Sequence, residues 1–181
     1  MPRYVALFRG INVGKAKRIA MADLRTLLEK LGYTDVRTLL NSGNAVFSGA
    51  AGAANKHAEQ IRAAVARRLG VDALVIVKSA QEVAGIIADN KFEKLASDHS
   101  RLLVAVTGDG SALAGLKPLS AKDWGREKVH VGKHGALVWC ADGILESRAL
   151  TAVLKGLEGG GTTRNWATFN KIHLLLQTNG S

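Results

Sequence analysis

The residues in this chain best suited to chemistry are cations and amide side chains gathered where strands give way to loops. Arg9-Gly10-Ile11-Asn12-Val13-Gly14-Lys15 directly follows the apolar run Tyr4-Val5-Ala6-Leu7-Phe8, and Lys17 and Arg18 extend its charge. Backbone amides freed by glycine, with positive side chains beside them, are a common way of holding an anion. Asn41-Ser42-Gly43-Asn44 and Thr163-Arg164-Asn165 carry similar residue types. The anion-binding candidates are therefore Arg9, Asn12, Lys15, Lys17, Arg18, Ser42, Asn44, Arg164 and Asn165. Each has a structural alternative. Asn tolerates left-handed turn geometry and bonds its own backbone, which accounts for Asn12 and Asn44 without a ligand. Arg164 is expected in the first turn of a helix, where a cation opposes the macrodipole. An anion held there by the side chain and the free amides would explain it, as would an ion pair with a carboxylate elsewhere.

Other chemistries lack their residues. Gly10 to Lys15 has three residues between its glycines where a P-loop needs four, and Ala16 stands where a magnesium-binding hydroxyl belongs. No G-x-G-x-x-G follows the opening strand and no G-x-S-x-G occurs. The five histidines are scattered, and His130 and His134 bracket a turn without forming H-E-x-x-H. Cys140 is alone, in the apolar run Ala136-Leu137-Val138-Trp139-Cys140, and reads as a buried inert thiol. Neither catalytic residues nor a metal or cofactor is expected.

Composition bounds the class. With 47% hydrophobic and 22% charged residues the chain has a globular, not a disordered, balance. Its 25 Lys and Arg against 15 Asp and Glu leave +10, and residues 1–22 hold no acid at all. Such a charge favours anionic partners, and it equally keeps a protein soluble. No apolar run approaches the ~20 residues of a membrane span. A cytoplasmic location without membrane contact is expected.

The elements that must position these residues follow from periodicity. Met21, Leu24, Leu27, Leu28 and Leu31 recur at helical spacing before Gly32. Val36–Leu40 and Ala45–Phe47 are strand-like and enclose the Asn41–Asn44 turn as a hairpin. A helix over Asn55–Leu69 and a strand over Ala73–Val77 complete the order β-α-β-β-α-β, the split βαβ plan. Ser79-Ala80-Gln81-Glu82 caps a short helix to about Ala88. Polar residues 89–100 then form a boundary, so that 1–95 and 99–181 are expected as two domains. The second repeats strand, short helix (Ser111–Leu116, stopped before Pro118), hairpin (Lys128–Val131 with Ala136–Cys140) and helix (around Leu150–Leu157). Glu158–Gly161 reads as a flexible link, and Thr162–Trp166 as the opening of a last helix, which leaves open whether this half keeps a fourth strand. Thr178–Ser181 is expected to fray. The fold class is α+β: two tandem ferredoxin-like halves, the second divergent with an extra C-terminal helix.

Three motifs appear in order: Arg9-Gly10-Ile11-Asn12-Val13-Gly14, Ser42-Gly43-Asn44 with Val46-Phe47, and Thr163-Arg164-Asn165-Trp166 with Thr168. On these the chain resembles a bacterial family known as domain of unknown function 1697. The resemblance implies two ferredoxin-like α/β halves and no particular reaction. Where the family usually continues with a second Gly, then Lys-Asn-Lys and a Pro, this chain has Lys15, Ala16-Lys17-Arg18 and Ala20. Backbone shape is changed there and positive charge is gained.

Two readings lead, ahead of an interaction or oligomerisation role that would require a contiguous exposed apolar patch. The first is a binding module for an anionic ligand, either non-specific nucleic acid or a phosphorylated small molecule. Aromatics are only 5% of the chain, so contact with nucleic acid would be led by phosphate and sensitive to salt. The alternative is an enzyme acting on a small anionic substrate in the cleft between the two halves.

Overall fold

The computed structural model describes residues 1–178, and the frayed tail expected from Thr178 falls, past that residue, outside them. Two compact units form. The first comprises Met1–Ala80 with Ile172–Ser181, and the second Gln81–Lys171. No helix among the described residues is long and apolar enough to cross a membrane.

In the first unit the order is β1 (Arg3–Phe8), α1 (Met21–Lys30), β2 (Thr34–Leu39), β3 (Asn44–Ser48), α2 (Ala54–Leu69) and β4 (Val75–Ser79). The strands pair antiparallel in the order β2-β3-β1-β4. β1 is central because both its faces are apolar: Tyr4, Ala6 and Phe8 join the helix-covered core, while Val5 and Leu7 are equally buried. The Leu24, Leu27 and Leu28 stripe of α1 and the Ile61 and Val65 stripe of α2 close that core. Burying each such side chain contributes about 1.5–3 kcal/mol. Their register fixes where β1 ends, and hence where the basic loop begins.

The second unit runs α3 (Ala80–Ala88), β5 (Leu102–Thr107), α4 (Gly110–Ala114), α5 (Lys117–Ser120), β6 (Lys128–Val131), β7 (Ala136–Trp139), α6 (Arg148–Leu157), β8 (Gly161–Asn165) and α7 (Trp166–Gln177). The unit boundary falls within α7. Its sheet is also antiparallel, in the order β6-β7-β5-β8. The chain is thus α+β with two four-stranded antiparallel sheets.

Two expectations are corrected here. A fourth strand does exist: Gly161–Asn165 pairs with β5, Arg164 opposite Val104, and the last helix begins only at Trp166. Thr162 and Thr163 are β-branched, and that preference prevails over the helical pattern that follows. Glu158–Gly161 is a tight turn and not a loose link. Gly160 N–H bonds Leu157 C=O at 2.8 Å, and a Cβ on Gly161 would lie 2.8 Å from Val106 O. The short helix α4 does stop before Pro118, at Ala114, and Pro118 then sits in the first turn of α5, where a missing N–H costs nothing.

Candidate anion-binding site

Asn12 organises the basic loop. Its Oδ1 accepts from Ile19 N–H at 2.8 Å, and its Nδ2 donates to Ile19 C=O and to Asn41 C=O, each at 2.8 Å. The Asn12 N–H also bonds Lys17 C=O at 3.0 Å. One side chain therefore closes residues 12–19 on themselves and fastens them to the neighbouring hairpin turn. Arg18 braces the same loop, its guanidinium donating to Gly14 C=O at 3.2 Å and Asn12 C=O at 3.5 Å.

The hairpin turn fits this loop closely. Phe8 N–H bonds Gly43 C=O at 2.9 Å. Gly43 has φ +92°, and a Cβ there would stand 2.5 Å from Ile11 Cδ1 and 2.8 Å from Phe8 Cβ. Asn44, fully buried, donates to Leu39 C=O at 2.7 Å and to Ser42 Oγ at 3.2 Å. Positive φ recurs through both segments, at Gly10, Asn12, Gly14, Lys17, Leu40 and Gly43. For Lys17 and Leu40 that conformation costs on the order of 1–3 kcal/mol each, and it persists only where surroundings enforce it.

Two consequences follow for charge. Arg9, Lys15, Lys17 and Arg18 are all exposed at this end of the unit. Within the described residues no hydrogen bond takes up the N–H of Val13, Gly14, Lys15 or Ala16, all exposed. The tip thus offers amides and ammonium groups together. A pocket of about 320 Å³ lies beside it, lined by Asn12, Arg18, Ile19, Ala20 and Asn41. Asp72 is the acid that reaches this charge. Its carboxyl is held below the usual carboxylate range by the Arg62 hydrogen bond, with the charges of Arg62 and Lys17 adding to it. Since Arg62 takes Asp72 at 2.7 Å, only part of the Lys17 charge is offset.

Of the nine sequence candidates, Arg9, Asn12, Lys15, Lys17, Arg18, Ser42 and Asn44 lie on these two adjoining segments of the first unit. Arg164 and Asn165 belong to the second. Arg164 is not at a helix start, so the macrodipole reasoning that singled it out does not apply. It is buried in β8, donates to Thr162 Oγ1 at 2.9 Å and Thr163 C=O at 2.8 Å, and burial pulls its guanidinium down to about 10, still charged at neutral pH. Asn165 Oδ1 accepts from Thr168 N–H at 2.9 Å and so starts α7. Two exposed apolar side chains were not foreseen: Val13 on the loop and Leu40 on the turn, 72% and 50% exposed. Their sequence signal is only that both adjoin turn residues.

A family model described as protein of unknown function (DUF1697) matches residues 1–136. The chain belongs to that family. The match takes in the basic loop and the hairpin turn; the third motif, around Arg164, lies beyond it. Among solved structures, that of conserved bacterial protein SP0830 from Streptococcus pneumoniae shares 24% identity with this DUF1697 member, at a TM-score of 0.80. The likeness spans 97% of this chain and 99% of the other, and it establishes a common fold. No curated protein matches.

Proposed function

We propose that this protein binds a phosphate-bearing anion at the tip formed by residues 9–18 with the turn at 40–44. The reading is supported chiefly by the four unbonded amides of Val13–Ala16, presented beside Lys15 and Lys17 on a loop that Asn12 holds shut. Successive amides in a turn with a left-handed residue suit tetrahedral oxyanions, and a loop already fixed loses little entropy on binding. Arg18 braces the loop and lines the pocket, so its role is to shape the site as much as to add charge. We read each unit as a split βαβ, ferredoxin-like plait, the first from its β-α-β-β-α-β order with strands arranged 2-3-1-4. The tip then lies at the end of the central strand.

Between the two sources of phosphate, a polynucleotide backbone is distinguished by its salt dependence. Three phosphate contacts from Arg9, Lys15 and Lys17 on a single strand give a log–log slope of roughly −2. Fluorescence anisotropy with a labelled oligonucleotide, competed by nucleotides and sugar phosphates, measures this directly. Lys15→Gln with Lys17→Gln should weaken binding about tenfold or more. Binding that is absent for every phosphate compound, or indifferent to both lysines, removes the proposal.

A further inference from the structure

A second surface, in the other unit, is built on a different chemistry. One face of α6 presents Arg148, Thr151, Ala152 and Lys155 at helical spacing, with small side chains between two cations. The opposite stripe, Ala149, Leu150, Val153 and Leu157, is buried in the core, so the first face is the helix's outward one. Lys122, Trp124 and Leu145 also line this shallow groove, of about 460 Å³. Leu145 is 96% exposed and its neighbour Ile144 is 41% exposed. No interaction within the unit accounts for a leucine left so fully in water.

The charge of this groove is unspent. Lys122, Arg148 and Lys155 make no ion pair among the described residues, and Glu146 is the one carboxylate in the lining, so three cations less one acid leave +2. The amides that start α6 are already occupied. Glu127 accepts from the Ser147 hydroxyl, from Arg148 N–H at 3.1 Å and from Ala149 N–H at 3.3 Å, and Ser147 Oγ takes Leu150 N–H at 3.0 Å. An anion in the groove therefore has the cationic side chains to bind, not the helix end. The larger cavity that Trp139 helps to line makes a contrast. There Arg101 and Arg126 are each paired with an acid, Asp98 at 3.5 Å and Asp142 at 2.6 Å.

We propose that the α6 groove docks an acidic segment of a partner protein, with a bulky apolar side chain seated over Thr151 and Ala152 and its carboxylates on Arg148, Lys155 and Lys122. Charge complementarity selects the acidic partner, and the exposed Leu145 and Ile144 select one with apolar anchors. Nucleic acid fits less well, because Lys122 Nζ stands 4.7 Å over the Trp124 ring and covers the face on which a base would stack.

The test uses the full chain and two displayed peptide libraries of about 12 residues, a length that fills such a groove. One mixes Asp and Glu with Leu, Phe and Trp; the other replaces the acids by Lys and Arg. Acidic-apolar peptides should be enriched over basic ones. Their affinity, read by anisotropy, should fall about tenfold or more in Arg148→Glu/Lys155→Glu and in Leu145→Ser. It should be unchanged in Lys15→Gln/Lys17→Gln, which separates this surface from the phosphate tip. Peptides with Lys in place of Glu should regain binding to the charge-reversed variant. Arg148→Gln/Lys155→Gln, which introduces no like-charge repulsion, serves should the reversal unfold the unit. No enrichment, or enriched peptides that ignore these substitutions, overturns the proposal. So does a groove whose variants alter binding of a single-stranded oligonucleotide or of phosphatidylserine vesicles and not of peptide.

Discussion

Asn12→Ala tests the loop's architecture. The substitution deletes three hydrogen bonds, from Ile19 N–H to Oδ1 and from Nδ2 to the carbonyls of Ile19 and Asn41. Each is worth a net 0.5–1.5 kcal/mol, and because the freed backbone groups are part-buried at Ile19 and exposed at Asn41, and can regain water, we take about 2 kcal/mol for the set. Asn12 also sits at φ +56°, a conformation asparagine tolerates and alanine resists by about 1 kcal/mol. The sum, about 3 kcal/mol, corresponds to a fall in melting temperature of roughly 6–12 °C for a chain this long. Asn12→Gly loses the same bonds without the backbone penalty and should fall between wild type and the alanine variant. Differential scanning calorimetry measures the order, and amide exchange at Ile19 should rise in both variants. If both melt within about 1 °C of wild type with Ile19 still protected, the side chain does not hold the loop and the preorganised tip has no basis.

Gly43→Ala should cost on the order of 2–4 kcal/mol, since its Cβ meets Ile11 and Phe8 at a left-handed φ. Gly10→Ala, at φ +68° with open space around it, should cost only about 1 kcal/mol. Urea denaturation midpoints measure the pair, and equal losses would contradict the close approach. Cys140 is fully buried, and burial pushes its thiol above the usual range, ahead of a lowering hydrogen bond from Ser147 and a raising charge on Glu127. At pH 8 an aromatic disulfide reagent should therefore leave the native protein unmodified and label it stoichiometrically in guanidinium; rapid native labelling would refute that burial.

Periodicity carried much of the fold. The leucines of α1, the Gly70 stop of α2 and the apolar runs of β1 and β5 are each decided by local spacing, and the helices and strands stand where that spacing puts them. β8 was hidden because its partner is remote in sequence: polar Thr162, Thr163 and Arg164 become a strand by pairing with β5. The same pairing changed the meaning of Arg164, from a cation at a helix start to a buried strand residue. In the loop, charge and glycine content were legible at once. What fixes the loop was not, because Asn12 reaches the carbonyl of Asn41 across 29 positions, a contact that no window of sequence contains. The α6 groove was equally concealed, since the exposure of Leu145 and the lack of an ion pair on Arg148 and Lys155 among the described residues are facts of three-dimensional packing.

The central claim is that the tip at Val13–Ala16 receives a phosphate oxyanion, and an amide-resolved NMR titration with inorganic pyrophosphate reads it most directly. The amide resonances of Val13, Gly14, Lys15 and Ala16 should shift together and saturably, and should cease to do so in Asn12→Ala. Shifts spread evenly over all exposed cations, or confined to the second unit, would contradict it.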